Sequence, residues 1–217
     1  MAKHLQRDLE HLKKEILSVG ALVEQAILKS TTALSERRPE LAEEVINGDN
    51  EIDAREVTVE EECLKALALH QPVATDLRFI VMVLKVNNDL ERMGDLAVNI
   101  AERALLLCSH APFMVPRFEE MVAKARGMVR DSLDALVNLD VGLAQKVRAA
   151  DEVVDRCHAE IFEYLQGTMR GEPATIERAM AMLSVSRQLE RLADHATNIA
   201  EDVEFLVEGE IIRHRGE

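Results

Sequence analysis

Two twelve-residue segments of the chain carry the same pattern of acidic and amide side chains. Residues 91–102 read ERMGDLAVNIAE and residues 190–201 read ERLADHATNIAE, so the copies align without a gap at an offset of 99 residues, 190 − 91. Residues four apart on a helix lie on one face, roughly 6 Å apart along its axis. The spacing therefore predicts one row of oxygen-bearing side chains in each copy. The rows are Glu91, Asp95 and Asn99, and Glu190, Asp194 and Asn198.

Each row has the chemistry of a binding site for a hard cation. Two acids four residues apart repel each other and cost an isolated helix roughly a few tenths of a kcal/mol. Neither row contains a Lys or Arg, and uncompensated oxygen ligands suit hard cations. The alternative is a solvated acidic face, with Arg92 neutralising part of the first row. One copy alone would favour that alternative, whereas two copies in register favour a site.

A second set of acid pairs extends the pattern. Asp49 and Asp53 match Asp151 and Asp155 at an offset of 102 residues, 151 − 49. Each half thus has one pair on its second predicted helix and one on its third. If these helices are antiparallel neighbours, four carboxylates and an asparagine surround one site per half. Such an all-oxygen set suits iron, manganese, magnesium or calcium better than copper or thiolate-type zinc, and bridging carboxylates allow more than one ion per site.

Histidines and catalytic motifs add little to this set. His158, three residues after Asp155, could supply a nitrogen ligand, but a satisfied surface or core histidine is the favoured interpretation, as it is for His195. No His has a Glu three residues before it, as a ferritin-like di-iron protein requires, and the sequence has no P-loop or nucleophile elbow. A metal-dependent enzyme such as a metallo-hydrolase is therefore the weaker alternative, and we predict no catalytic residue.

The composition indicates an acidic, helical protein. Apolar residues make up 47% of the 217 residues and aromatic residues only 3%, which argues against disorder and against a strand-rich fold. The net charge of −14 disfavours nucleic acid as a partner, because phosphate contacts need a basic surface. The longest apolar run, residues 79–84, is far too short for a membrane span, and the charged N-terminus does not resemble a signal peptide. We expect a soluble cytoplasmic protein with three reduced cysteines.

Apolar residues at spacings of three and four predict six long helices. Their approximate ranges are residues 5–35, 39–69, 75–108, 118–138, 141–165 and 175–207. Two prolines mark residues 109–116 as a linker, residues 167–173 are predicted as a turn, and Gly209 is suited to end the last helix. Because the acid pairs repeat, we predict an all-α fold of two tandem three-helix bundles related by internal duplication, with domains 1–110 and 111–217.

Further short motifs surround the acid rows. They are QPVATDLR at residues 71–78, LERMGD at 90–95, NIA at 99–101 and LERLADHATNIAE at 189–201. With these motifs nearly the whole chain resembles the PhoU family, whose members consist of two three-helix bundles with a metal-binding Glu/Asp-x-x-x-Asp signature. All four acid pairs fit that signature. Ala193 departs from the family pattern, which usually has glycine at this position of the second copy. The second half also lacks the Asp-Leu-Arg of the first, so the two halves need not contact partners alike.

The resemblance implies a regulator rather than an enzyme. Members of the family link the phosphate ABC transporter, through its ATPase subunit, to the sensor histidine kinase of the phosphate regulon, and they favour repression when phosphate is plentiful. A homodimer is implied as well, with neither nucleic acid nor direct membrane insertion. Iron is the first expectation for the bound metal, with manganese, zinc, magnesium and calcium as alternatives. Our hypothesis is that metal at the two acidic sites stabilises the bundles and shapes a partner-binding surface.

Overall fold

A computed structural model describes residues 2–112 and 114–209, which form six long α-helices and no strand. The helices are α1 (Ala2–Ser35), α2 (Pro39–His70), α3 (Ala74–Cys108), α4 (Phe118–Asn138), α5 (Val141–Gly171) and α6 (Ile176–Glu208). A single 3₁₀ turn, Pro173–Thr175, precedes α6. No helix in the described ranges has an apolar stretch long enough to span a bilayer.

The helices form two three-helix bundles that pack against each other. Helices α1 to α3 contact one another, as do α4 to α6, while α3 packs along α6 and α1 against α4 between the bundles. The apolar stripe of α1 shows why these helices associate. Its members recur at spacings of three and four and are almost fully buried: Leu12, Ile16, Val19, Val23 and Ile27. The all-α fold of two tandem bundles is thereby confirmed.

An arginine clamps two connections of the first bundle together. Arg37 lies in the turn between α1 and α2 with a left-handed φ of 56°. Its guanidinium donates hydrogen bonds to the backbone carbonyls of Leu107 at 3.2 Å, Cys108 at 2.7 Å and His110. Leu107 and Cys108 are the last two residues of α3, and the backbone N–H of His110 also donates to the Leu107 carbonyl at 3.2 Å. Arg37 adds donors at this helix end, where the last carbonyls have no partner in a following helical turn. The α3 end and the start of the linker are thus held to the α1–α2 turn.

The predicted turn at residues 167–173 is wrong over most of its length. Helix α5 continues through Gly167 and ends only at Gly171. Each glycine costs about 1 kcal/mol in a helix interior. Helix α5 extends past Gly167 because Met169 is partly buried against the core, and this packing offsets the cost. The helix stops at Gly171, because Glu172 precedes Pro173 and leaves the helical conformation, with a φ of −139° and a ψ of 88°. At the other end of α6, Gly209 has the expected left-handed φ of 76°.

Candidate metal centres

The acid pairs of the first bundle meet because α2 and α3 are antiparallel neighbours. Asn87 Nδ2 donates a hydrogen bond to the backbone carbonyl of Glu56 at 2.9 Å. Ile52, one turn before Glu56 on α2, lies against Gly94, two turns after Asn87 on α3. A Cβ added to Gly94 would be 3.3 Å from Ile52 Cδ1. The glycine allows the two backbones to approach closely at this level. The predicted acid pairs of both helices flank this contact.

In the first site, the charges of Asp53 and Asp95 act on the other two predicted carboxylates, Asp49 and Glu91. Burial raises the pKa of Asp49, and the charges of Asp53 and Asp95 raise it further. Burial also raises the pKa of Glu91, with Asp95 as the largest charge acting in the same direction and Arg92 opposing it. Glu56 adds to this effect and is a fifth carboxylate that the sequence reasoning missed. It follows Asp53 by three residues, so extending the row by one helical turn would have found it.

The second site repeats the arrangement with stronger effects. Its carboxylates are Asp151, Asp155, Glu190 and Asp194. Burial raises the pKa of Asp151 to about 6, and the charges of the other three carboxylates contribute. Burial also raises the pKa values of Glu190 and Asp194. The two members nearer the core are half-buried and the two outer members are exposed, as are their counterparts in the first site.

One substitution distinguishes the two sites. His158 occupies the position of Glu56 at the offset of 102 residues, 158 − 56, so the second site has a histidine where the first has an acid. The Nδ1 of His158 lies 2.7 Å from the hydroxyl of Ser186, and the His158 charge lowers the pKa of Glu190. The second site is therefore less acidic than the first, although its four carboxylates are placed alike.

The donor chemistry of these sites fits a hard cation. Asp151 Oδ1 is buried and accepts no hydrogen bond from the part of the chain that the structure describes. Within residues 2–112 and 114–209, no three Asp, Glu, His or Cys side chains lie close enough together to hold one metal ion as they stand. Carboxylates without a counter-charge repel each other. A cation would remove that repulsion and give the buried oxygen a partner.

The two asparagines at the ends of the rows are not equivalent. Asn99 Nδ2 donates to the backbone carbonyl of Asp95 in its own helix at 2.8 Å. Asn198 Nδ2 instead donates to the carboxylate of Asp89 on α3 at 3.3 Å, and His195 Nδ1 lies 2.7 Å from the same oxygen. Asp89 is buried between the bundles and was not singled out from the sequence. The ligand roles of both asparagines stay predictions, and Asn198 also joins the second acid row to the first bundle.

The helix contact beneath each site is matched in volume between the repeats. Ile52 and Gly94 of the first bundle correspond to Val154 and Ala193 of the second, since 154 − 52 is 102 and 193 − 94 is 99. In the first bundle, the larger Ile52 on α2 faces Gly94 on α3, which has no Cβ. In the second bundle, Val154 on α5 is one methyl group smaller than isoleucine, and Ala193 on α6 is one methyl group larger than glycine. Ala193 is fully buried, which shows that this departure from the family pattern is accommodated.

We expect Gly94→Ala and Ile52→Val to be coupled energetically. The alanine methyl gains about 1 kcal/mol of helix propensity but crowds Ile52, whereas the valine alone leaves a small void costing about 1 kcal/mol. Combined, each change fits the other, so the double variant should be more stable than the sum of the single changes by about 1 kcal/mol. Urea denaturation of the four proteins of this cycle measures the coupling. Strict additivity would show that the contact does not limit the approach of α2 and α3.

Comparison with known proteins places the chain in a family. The PhoU domain profile matches residues 16–104 and again residues 118–203. The chain is 42% identical over 214 residues to the phosphate-specific transport system accessory protein PhoU homolog of Aquifex aeolicus, covering 97% of this chain and 96% of that protein. The accessory protein PhoU of Escherichia coli K12 is 32% identical over 211 residues, with coverages of 96% and 87%.

Solved structures agree with this relation. PhoU from Pseudomonas aeruginosa superimposes with a TM-score of 0.90 at 36% identity, over 94% of this chain and 99% of that one. The phosphate transport system regulatory protein PhoU from Streptococcus pneumoniae superimposes with a TM-score of 0.89 at 29% identity, over 95% and 98%. Two domain matches, a duplicated bundle and relatives aligned over almost their whole length lead to one assignment: this chain belongs to the PhoU family.

Proposed function

We propose that this protein is an accessory regulator of phosphate transport. It acts as an adaptor between the ATPase subunit of a phosphate ABC transporter and a sensor histidine kinase, and it represses uptake and the phosphate regulon when phosphate is plentiful. The observation that carries this proposal is the alignment over nearly the full length of relatives that are named phosphate-specific transport system accessory proteins. The chain therefore has the whole architecture of those proteins rather than one shared domain.

The proposal assigns cation binding to the two acidic sites. In each bundle, carboxylates from two antiparallel helices lie close together, and burial raises the pKa values of Asp49 and Glu91 in the first site and of Asp151, Glu190 and Asp194 in the second. Iron is the first candidate, with manganese, zinc, magnesium and calcium as alternatives. A bound cation would neutralise the face that α2 and α3, or α5 and α6, present to a partner. The protein's contribution is then to fix the geometry of that face, with no catalytic step.

Co-purification from cells tests the adaptor role. The tagged protein should retain the transporter ATPase and the histidine kinase, and deletion of its gene should derepress a phosphate-regulon reporter in phosphate-rich medium. Activity on p-nitrophenyl phosphate distinguishes the enzymatic alternative. Turnover in the metal-loaded protein that disappears in Glu91→Gln and Glu190→Gln variants would overturn the proposal in favour of a metallo-hydrolase.

Substituting one exposed carboxylate in each site should abolish metal retention. Asp95→Ala with Asp194→Ala removes one of four charged ligands per site, and we expect the cation affinity to fall by at least about tenfold. Elemental analysis after gel filtration measures the metal content. Glu43→Ala with Asp134→Ala is the matched control, because it removes two exposed charges outside the sites. Equal metal content in both double variants would contradict the ligand assignment.

A further inference from the structure

Exposed apolar side chains continue the face that carries the first acidic site. Leu64 on α2 is 54% exposed, and Leu77 and Val81 on α3 are 39% and 37% exposed. The hydrogen bond between Asn87 and the carbonyl of Glu56 fixes the register of the two helices. About two helical turns from that bond, towards the turn joining α2 and α3, Leu64 comes level with Val81. The three side chains therefore border one groove.

The apolar pair on α3 recurs in the second bundle. Leu77 and Val81 correspond to Ile176 and Met180 at the offset of 99 residues, 176 − 77, and both of these residues are exposed on α6. Single exposed apolar residues are ordinary on protein surfaces. An apolar pair spaced by four residues and exposed at the same position in both bundles is more typical of a binding surface.

The charges around the two apolar pairs differ. On α2, the first pair is bordered by three glutamates: Glu56, Glu60 and Glu61. In the second bundle the positions of Glu56 and Glu60 are taken by His158 and Phe162, since 158 − 56 and 162 − 60 are both 102. Arg187 also stands where the first bundle has Asn88, 187 − 88 being 99. The position of Glu61 keeps its charge as Glu163, 163 − 61 being 102. The α2 side of the first groove thus carries three glutamates, whereas the matching side of the second keeps one.

We propose that the acid-bordered groove of the first bundle, formed by Leu64, Leu77, Val81, Glu56, Glu60 and Glu61, docks a basic amphipathic helix of a partner protein. A helix laid in a groove uses apolar anchors at spacings of three and four, and lysines or arginines beside those anchors complement the glutamates. A second copy of this chain is a poor occupant, because its net charge of −14 sets acid against acid. An anionic membrane surface is repelled for the same reason. The inference deepens the proposed function by naming the chemistry of the partner segment, and it rests on that function only for the partner's identity.

A synthetic peptide provides a direct probe. It has 20 residues, with leucines at helical positions i, i+4, i+7 and i+11 and lysines on both flanks of that apolar face, and its binding to the full protein is followed by fluorescence anisotropy. Leu77→Gln with Val81→Gln should weaken binding at least about tenfold, because both anchor contacts become polar. Ile176→Gln with Met180→Gln is the matched control at the same register and should leave the affinity unchanged.

Two double variants with the same loss of charge test the contribution of the glutamates to peptide binding. Glu60→Gln with Glu61→Gln should weaken peptide binding about tenfold, while Glu152→Gln with Glu163→Gln removes the same net charge elsewhere and should not. Equal losses in the two charge variants would mean attraction to the overall negative charge and would overturn the docking site. Equal losses in the two apolar variants would overturn it as well. Self-association in gel filtration that Leu77→Gln with Val81→Gln abolishes would assign the groove to a second copy instead.

The docking site and the proposed function can fail separately. If the peptide does not bind but the transporter ATPase still co-purifies, the groove inference is wrong and the adaptor function stands. If the peptide binds with the expected selectivity while neither the ATPase nor the kinase is retained and the reporter does not respond, the groove stands and the phosphate-specific function is wrong.

Discussion

Replacing Asp151 with asparagine is expected to stabilise the metal-free protein above pH 6. Burial raises the pKa of the Asp151 carboxyl from 3.8 to about 6, and the charges of three neighbouring carboxylates act in the same direction. Ionising it in the folded protein therefore costs free energy that the unfolded chain does not pay. A pKa difference of one corresponds to about 1.4 kcal/mol, and after a reduction for partial exposure we expect a gain of about 2 kcal/mol from Asp151→Asn.

The gain should depend on pH in a defined direction. Below about pH 4, the carboxyl is protonated in both the folded and the unfolded chain, so the variant and the parent should be equally stable. As pH rises from 4 through 6, the folded parent must give up a proton that it holds more tightly than the unfolded chain does, and its stability falls. The difference between the two proteins should be complete above that range. Urea denaturation at pH 4, 5, 6 and 7.5 in the presence of chelator measures it.

A cation should reverse the order of stability. Manganese bound only by the folded parent stabilises it by mass action, whereas the variant lacks one ligand and should gain less. Asp49→Asn is the matched control in the first bundle, with the same sign and a smaller effect, because the pKa of Asp49 is raised by two neighbouring carboxylates instead of three. A variant that is less stable than the parent at pH 7.5 without metal would contradict the electrostatic account. If the variant stayed more stable than the parent in the presence of manganese, only the prediction of cation binding would be contradicted.

The clustering of the acid pairs could be predicted from the sequence because a pattern that recurs in both halves rarely arises by chance, whereas the roles of these residues as metal ligands stay a prediction. One acid pair at a spacing of four residues does not distinguish a ligand set from a solvated face. Two pairs per half, at offsets of 102 and 99 residues, predicted that α2 meets α3 and α5 meets α6 at the same level. In the structure, the charge of Asp95 on α3 raises the pKa of Asp49 on α2, and the charge of Asp194 on α6 raises the pKa of Asp151 on α5. Helix boundaries followed from apolar periodicity and from prolines, which act locally.

The features that the sequence did not reveal depend on long-range register. The extension of α5 through Gly167 and Gly171 required tertiary packing that local propensity does not report. The contact of Asp89 with His195 joins residues 106 positions apart, and no pattern in either segment specifies the partner. Differences between the repeats, such as His158 in the second at the position that Glu56 occupies in the first, become informative only when the fold shows that both positions border a site.

Arg148→Met is expected to lower the free energy of unfolding by about 2 kcal/mol at pH 7, less than for a fully buried ion pair that loses one partner, because the Arg148 side chain is 35% exposed and water screens part of its charge. Arg148 Nη1 on α5 donates to Glu204 Oε2 on α6 at 3.1 Å. Glu204 is only 2% exposed, and its other oxygen, Oε1, accepts no hydrogen bond from the described residues. Burial already raises the pKa of Glu204, and Arg148 is the strongest influence that opposes this rise. Methionine keeps much of the apolar stem but leaves the buried carboxylate without its counter-charge.

Two further variants separate lost charge pairing from lost packing. Glu204→Leu combined with Arg148→Met removes both charges and should recover most of the stability, because a buried pair replaced by apolar groups is often neutral. Arg156→Met, an exposed arginine on the same helix, should change stability by no more than about 0.5 kcal/mol. The loss in Arg148→Met should also shrink as the pH falls, because burial raises the pKa of Glu204 and the protonated carboxyl needs no counter-charge. If the double variant were as unstable as Arg148→Met alone, the arginine would act through packing, and the charge pair would not be what fixes α5 to α6.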